Sequence, residues 1–105
     1  MYTLYFLPGA CSLATQVLLR QLDQPFELIH RDKQADFTAI NPVNTVPALV
    51  KNDTTYTEGA AIIWQLLNQH DVAFNNQTAA QRDRTLMDIM FANATMHPAY
   101  GRLFF

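Results

Sequence analysis

The stretch Tyr2-Thr-Leu-Tyr-Phe-Leu-Pro-Gly-Ala-Cys-Ser-Leu13 decides how the rest of the chain is read. Tyr2 to Leu7 is aromatic and aliphatic with no charge, which suits a strand buried on both faces, and Pro8-Gly9 stops it. A helix is expected to begin near Ser12, with Ser12 as its N-cap and Ala14, Val17, Leu18 and Leu22 recurring at helical spacing. The turn therefore delivers the sole cysteine, Cys11, to the start of a helix. Unpaired backbone N–H groups and the positive end of the helix dipole favour thiolate over thiol at such a place. A plainer reading stands beside it, because a free cysteine is most often a small, inert, buried hydrophobe.

Composition narrows the classes open to the chain. Its 105 residues suffice for one small domain, or for one domain and a fragment of a second. Half of them are apolar and 15% are charged, a globular balance. A formal charge of −2 with scattered basic residues argues against a nucleic-acid partner. One cysteine excludes an internal disulfide and offers no zinc set, so no metal is expected and a reducing compartment fits. No apolar run approaches the ~20 residues that span a bilayer, and the N-terminus lacks the basic flank of a signal peptide. The expected location is the cytoplasm, without membrane attachment.

Moving outward, Asp23-Gln24-Pro25 breaks the first helix, and Phe26 to His30 alternates like a strand. A strand, helix and strand joined at this length predict a parallel pair. Ala35 to Ile40 could form a turn or two of helix, which Asn41-Pro42 ends. Val46 to Val50 and Thr55 to Thr57, separated by a short polar turn, read as an antiparallel hairpin. Thr57 is the expected N-cap of a helix running to about His70, with Ile62, Ile63, Leu66 and Leu67 as its buried stripe. Asp71 to Thr78 reads as a linker. From Ala79 the sequence is helical again, but Leu86, Met87, Ile89, Met90, Phe91 and Met96 leave it apolar around most of its circumference. A helix of that kind expects neighbours on several sides.

This order of elements is that of a thioredoxin-like fold, and the chain resembles the N-terminal half of the cytosolic glutathione transferases, most closely the bacterial beta class. The resemblance is carried by Pro8-Gly-Ala-Cys-Ser-Leu13, Asn41-Pro42, Val46-Pro-Ala-Leu49, Thr57-Glu-Gly59 and His97, in that order. It implies an α/β fold, a βαβ-α-ββα domain with a four-stranded mixed sheet over residues 1–75. Residues 76–105 would then be the first helix of an incomplete all-α domain. It also implies a cis bond between Val46 and Pro47, with the Val46 backbone facing a bound peptide as an added strand would. Glu58 and Gly59 would meet the γ-glutamyl end of glutathione: free N–H groups at a helix start suit its carboxylate, and the Glu58 side chain suits its ammonium. Lys33 would reach the glycine carboxylate. His97 would stand near the glutathione sulfur. Gly59 occupies a position where many relatives carry serine, and Pro98 one where relatives often carry lysine.

The function so implied is transfer chemistry on glutathione, which serves as substrate, with no cofactor. Either the glutathione thiolate adds to a small electrophile, assisted by Cys11 and His97, or Cys11 exchanges thiols itself. A dithiol oxidoreductase is excluded, since Cys11-Ser-Leu-Ala14 lacks a second cysteine. The alternative from another class is a non-catalytic scaffold, which need not keep Cys11, Val46-Pro47 and Glu58-Gly59 together. The apolar final helix leads us to expect a homo-oligomer.

Overall fold

The computed structural model describes residues 1–8, 12–96 and 98. Four strands, β1 (Tyr2–Phe6), β2 (Phe26–His30), β3 (Ala48–Lys51) and β4 (Thr54–Thr57), form one sheet in the order β2-β1-β3-β4. β1 and β2 are parallel, with Tyr2 opposite Phe26 and Phe6 opposite His30. Helix α1 (Ser12–Gln21) makes the crossover that a parallel pair requires. The crossover turns back at Asp23, whose φ of 55° closes α1 in a Schellman arrangement: Gln24 N–H donates to Leu19 O at 2.9 Å and Asp23 N–H to Arg20 O at 3.1 Å. β3 runs antiparallel to β1, Leu4 facing Leu49, and pairs with β4 from Ala48↔Thr57 to Lys51↔Thr54. Asn52, at φ 55°, supplies the left-handed residue that so short a hairpin turn needs.

The two-residue period of β1 sends its side chains into two cores. Tyr2 and Leu4 join Leu19, Leu49, Ile62 and Leu66, beneath α1 and α2 (Gly59–His70). Tyr5 goes to the opposite face with Phe37 and Ala48, covered by Ile29, Ile40 and Val50. The expectation of a strand buried on both faces holds for this reason.

α1 packs on a different stripe from the one its apolar residues suggest. Ser12, Thr15 and Leu19 are its buried residues, whereas Leu13 and Val17 are 63% and 47% exposed and Ala14 also faces out. Leu18 and Leu22 pack at the edge of the core. Short hydroxyl side chains fill the space against the sheet, and hydrophobic periodicity scores them as surface. Neither Ser12 Oγ nor Thr15 Oγ1 has a hydrogen-bond partner among the described residues.

Two further expectations change. The segment from Asp71 is not a featureless linker: Asp71 caps a short helix, α3 (Val72–Asn75), by accepting from Phe74 N–H at 2.9 Å. Phe74 is buried there, edge-on to Trp64. Thr57 does not cap α2, because it is the last residue of β4, paired with Ala48; the N-cap is Glu58. Helix α4 (Ala79–Met90) opens on a capping box between Thr78 and Gln81 and continues as a π-helical stretch over Phe91–Met96. Arg82 secures α4 by donating to Asn68 Oδ1 at 2.9 Å and lying over the Phe74 ring. α4 runs back along α2 from there, and Leu86, Met87, Met90, Phe91 and Met96 stay exposed. Among the described residues no helix is long and apolar enough to cross a membrane.

Candidate functional site

A cleft of about 600 Å³ opens beside the start of β3 and the end of β4, where three segments converge. Its first wall is the loop Val43 to Pro47, its second the start of α2 from Glu58 to Ala61, and its third Met90, Asn93 and Ala94 of the last helix.

The loop owes its shape to Asn41, a buried polar residue. Asn41 Nδ2 donates to Thr45 O at 2.8 Å, and its Oδ1 accepts from Val43 N–H at 3.2 Å. One side chain thus fastens both ends of the turn, with Asn44 at φ 62° between them. Arg31 adds a bond from Nη1 to Asn44 O at 3.3 Å. The next peptide bond, Val46–Pro47, is cis, as the resemblance implies. Pro47 is buried, whereas Val46 is half-buried and packs beside the Tyr5–Phe37–Ala48 core.

The second wall joins a strained residue to a helix start. Glu58 has φ 70° and ψ 117°, a conformation that side-chain-bearing residues seldom adopt, and its carboxylate makes no capping bond. Its carbonyl accepts the first helical hydrogen bond, from Ile62 N–H at 2.9 Å. An α-helix has no internal partner for its earlier N–H groups, here those of the cleft-lining Gly59, Ala60 and Ala61. The site therefore offers backbone donors, the positive end of the α2 dipole and one exposed carboxylate in the same few ångströms of chain.

Of the residues singled out in the sequence, Val46, Pro47, Glu58 and Gly59 come together in this cleft. Lys33 does not line it; it is exposed on the 3₁₀ turn Arg31–Lys33 that follows β2. Cys11 and His97 lie outside the described residues. Sequence reasoning missed Thr45, Met90 and Asn93 as parts of the cleft. Asn41 was legible as half of Asn41-Pro42, but its role as a loop fastener was not. Asn93 left a fainter signal, as a polar residue within the apolar helical run from Leu86 to Met96.

At the other end of α2, Tyr2 OH and His70 Nε2 form a 2.7 Å hydrogen bond, and Lys51 Nζ lies 4.5 Å from the Tyr2 ring centroid. Desolvation, with the Lys51 charge second, lowers the His70 pKa below its ordinary 6.5. Burial first and Tyr56 second raise that of Tyr2. This pair belongs to the fold and not to the cleft, which adjoins the opposite end of the same helix. Among the described residues no group of three His, Cys, Asp or Glu side chains could hold a metal ion.

Residues 11–77 match the family model described as glutathione S-transferase, N-terminal domain. Glutathione S-transferase GST-4.5 of Xanthomonas campestris pv. campestris is 36% identical over 107 aligned residues, covering 96% of this chain and 52% of that protein. Among solved structures, a bacterial beta class glutathione S-transferase from Sphingomonas chungbukensis superposes with a TM-score of 0.83 at 32% identity, over 97% of this chain and 56% of that one. A glutathione transferase homologue from Sulfitobacter, solved with bound glutathione, also gives 0.83, at 27% identity, over 95% of this chain and 52% of that one. The chain thus spans about half the length of each of these relatives.

Proposed function

Since the chain belongs to the glutathione S-transferase N-terminal domain family, we propose that its cleft binds glutathione and that the protein promotes reaction of the bound thiol with a small electrophile. The observation that carries this reading is the convergence of Val46, Pro47, Glu58 and Gly59 on one cleft, although the sequence separates the two pairs by ten residues. The γ-glutamyl carboxylate meets the α2 N-terminus and its ammonium meets Glu58, while Val46 and Pro47 form the wall along which the rest of the tripeptide lies. The bound glutathione of the Sulfitobacter homologue supports the choice of ligand.

The chemistry follows from what the thiol needs. In conjugation, glutathione loses its thiol proton to solvent and the thiolate sulfur gives an electron pair to the electrophilic carbon. A C–S bond forms as the π bond of an activated alkene opens and its carbanion takes a proton from solvent, or as a leaving group departs with its bonding pair. Cys11 and His97 would favour the thiolate at neutral pH. In thiol exchange, the Cys11 thiolate attacks the sulfur of a glutathionyl disulfide, forms a mixed disulfide and releases the other thiol. Both reactions suit the reducing cytoplasm. We read residues 1–75 as the thioredoxin-like glutathione-binding domain and 76–105 as the first helix of an all-α domain, which adds Met90, Asn93 and Ala94 as the third wall of the cleft. Retention on immobilised glutathione tests the reading. The wild-type chain should be retained and eluted by free glutathione, and Glu58→Gln should be retained more weakly. Failure of both to bind would leave the scaffold alternative.

A further inference from the structure

We propose that Asn93 is a specificity residue of the cleft, its side-chain oxygen acting with Glu58 as the second acceptor for the ligand's ammonium. This rests on the reading of the cleft as a glutathione site. The orientation of the Asn93 amide follows from its partner: Nδ2 lies 2.9 Å from Ile89 O, and a carbonyl can only accept, so the NH₂ end faces Ile89. Oδ1 therefore points the other way, toward α2. A Cβ added to Gly59 would lie 2.8 Å from Asn93 Oδ1 and 3.9 Å from Pro47 Cγ. The oxygen occupies the volume that any larger residue at position 59 would fill.

The surroundings of that oxygen make it functional. Much of the cleft lining is apolar, from Val43, Val46, Pro47, Met90 and Ala94, so its few polar side chains orient whatever binds. Two of them, Glu58 and Asn93, present acceptors beside a helix start whose free N–H groups attract a carboxylate. Donors and acceptors side by side match a zwitterion, the α-amino-acid end of a γ-glutamyl group. Asn93 reaches this place from the π-helical stretch Phe91–Met96, a departure from α-geometry that recurs at functional sites. Gly59 and Asn93 form a complementary pair: the glycine gives up a side chain and the asparagine supplies a polar atom from another helix.

The test compares two tripeptides on the full chain by titration calorimetry: glutathione, and glutaryl-cysteinylglycine, which lacks only the α-ammonium. Asn93→Ala should weaken glutathione about tenfold, as expected for losing a hydrogen bond to a charged group, and leave the glutaryl analogue unchanged. Gly59→Ala, which displaces the Asn93 oxygen without removing it, should produce the same selective loss. The double variant should be no weaker than Asn93→Ala alone. Equal weakening of both tripeptides by Asn93→Ala, or of neither, overturns the assignment of Asn93 while glutathione binding by the wild type stands. A wild-type chain that binds neither tripeptide overturns the glutathione reading itself.

Discussion

Glu58 sets stability against binding, and replacing it with glycine should move the two in opposite directions. At φ 70° and ψ 117° its Cβ is held in a sparsely populated conformation, which costs about 1–3 kcal/mol. Glycine removes that cost but adds roughly 0.5–1 kcal/mol of chain entropy lost on folding, relative to alanine. The comparison that isolates strain is therefore Glu58→Gly against Glu58→Ala, since both lose the carboxylate and only alanine keeps the Cβ. Subtracting the mid-range values of the two terms, glycine should be the more stable by about 1 kcal/mol, and each kcal/mol raises Tm by about 4–8 °C in a domain of this size. Both variants lose the charged acceptor, worth about 1.5–3 kcal/mol, and should bind glutathione roughly 10- to 100-fold more weakly. Urea midpoints of the three proteins, read by Trp64 fluorescence, and one binding isotherm each complete the measurement. A Glu58→Gly chain no more stable than Glu58→Ala would show that the backbone at this site stores nothing, and the account of a strained binding residue would fail.

Thr15 is buried and its hydroxyl has no partner among the described residues, so Thr15→Val, which keeps the branched shape, should stabilise the chain by about 1–2 kcal/mol in urea unfolding; a destabilised variant would mean that the hydroxyl is satisfied. His70 titrates below its ordinary 6.5 in the folded chain, so the unfolded chain binds its proton first as the solution is acidified. Stability contributed by neutral His70 is thus complete above that value and lost as pH falls through it. His70→Gln should flatten the drop in urea midpoint between about pH 7.5 and 5.5, and an unchanged slope would remove His70 as its source. Exposed Leu86, Met87 and Phe91 on the last helix should drive self-association at micromolar concentration, weakened by Met87→Glu with Phe91→Glu; a wild-type monomer in sedimentation equilibrium would show that this face needs no cover.

Much of the fold was legible because its signals are local. The uncharged run before Pro8-Gly9, the alternation of Phe26 to His30, the polar turn at Lys51 to Thr54 and the stripe around Ile62 and Leu66 each depend on residues a few positions apart. They yield β1, β2, the hairpin and α2 without reference to the rest of the chain. Half of the cleft was legible too, as the pairs Val46-Pro47 and Glu58-Gly59, because each is contiguous. What the tertiary structure decided is non-local. Tyr2 meets His70 across 68 residues of chain, and no periodicity carries that pairing. Thr15, polar by composition, faces the core because the sheet and not the helix chooses which side of α1 is buried. Glu58 takes a positive φ because β4 must end and α2 begin within one residue. Asn93 reaches Gly59 because α4 runs back along α2 and departs from α-geometry at Phe91, so its oxygen meets the cleft wall at Gly59, the residue there without a side chain.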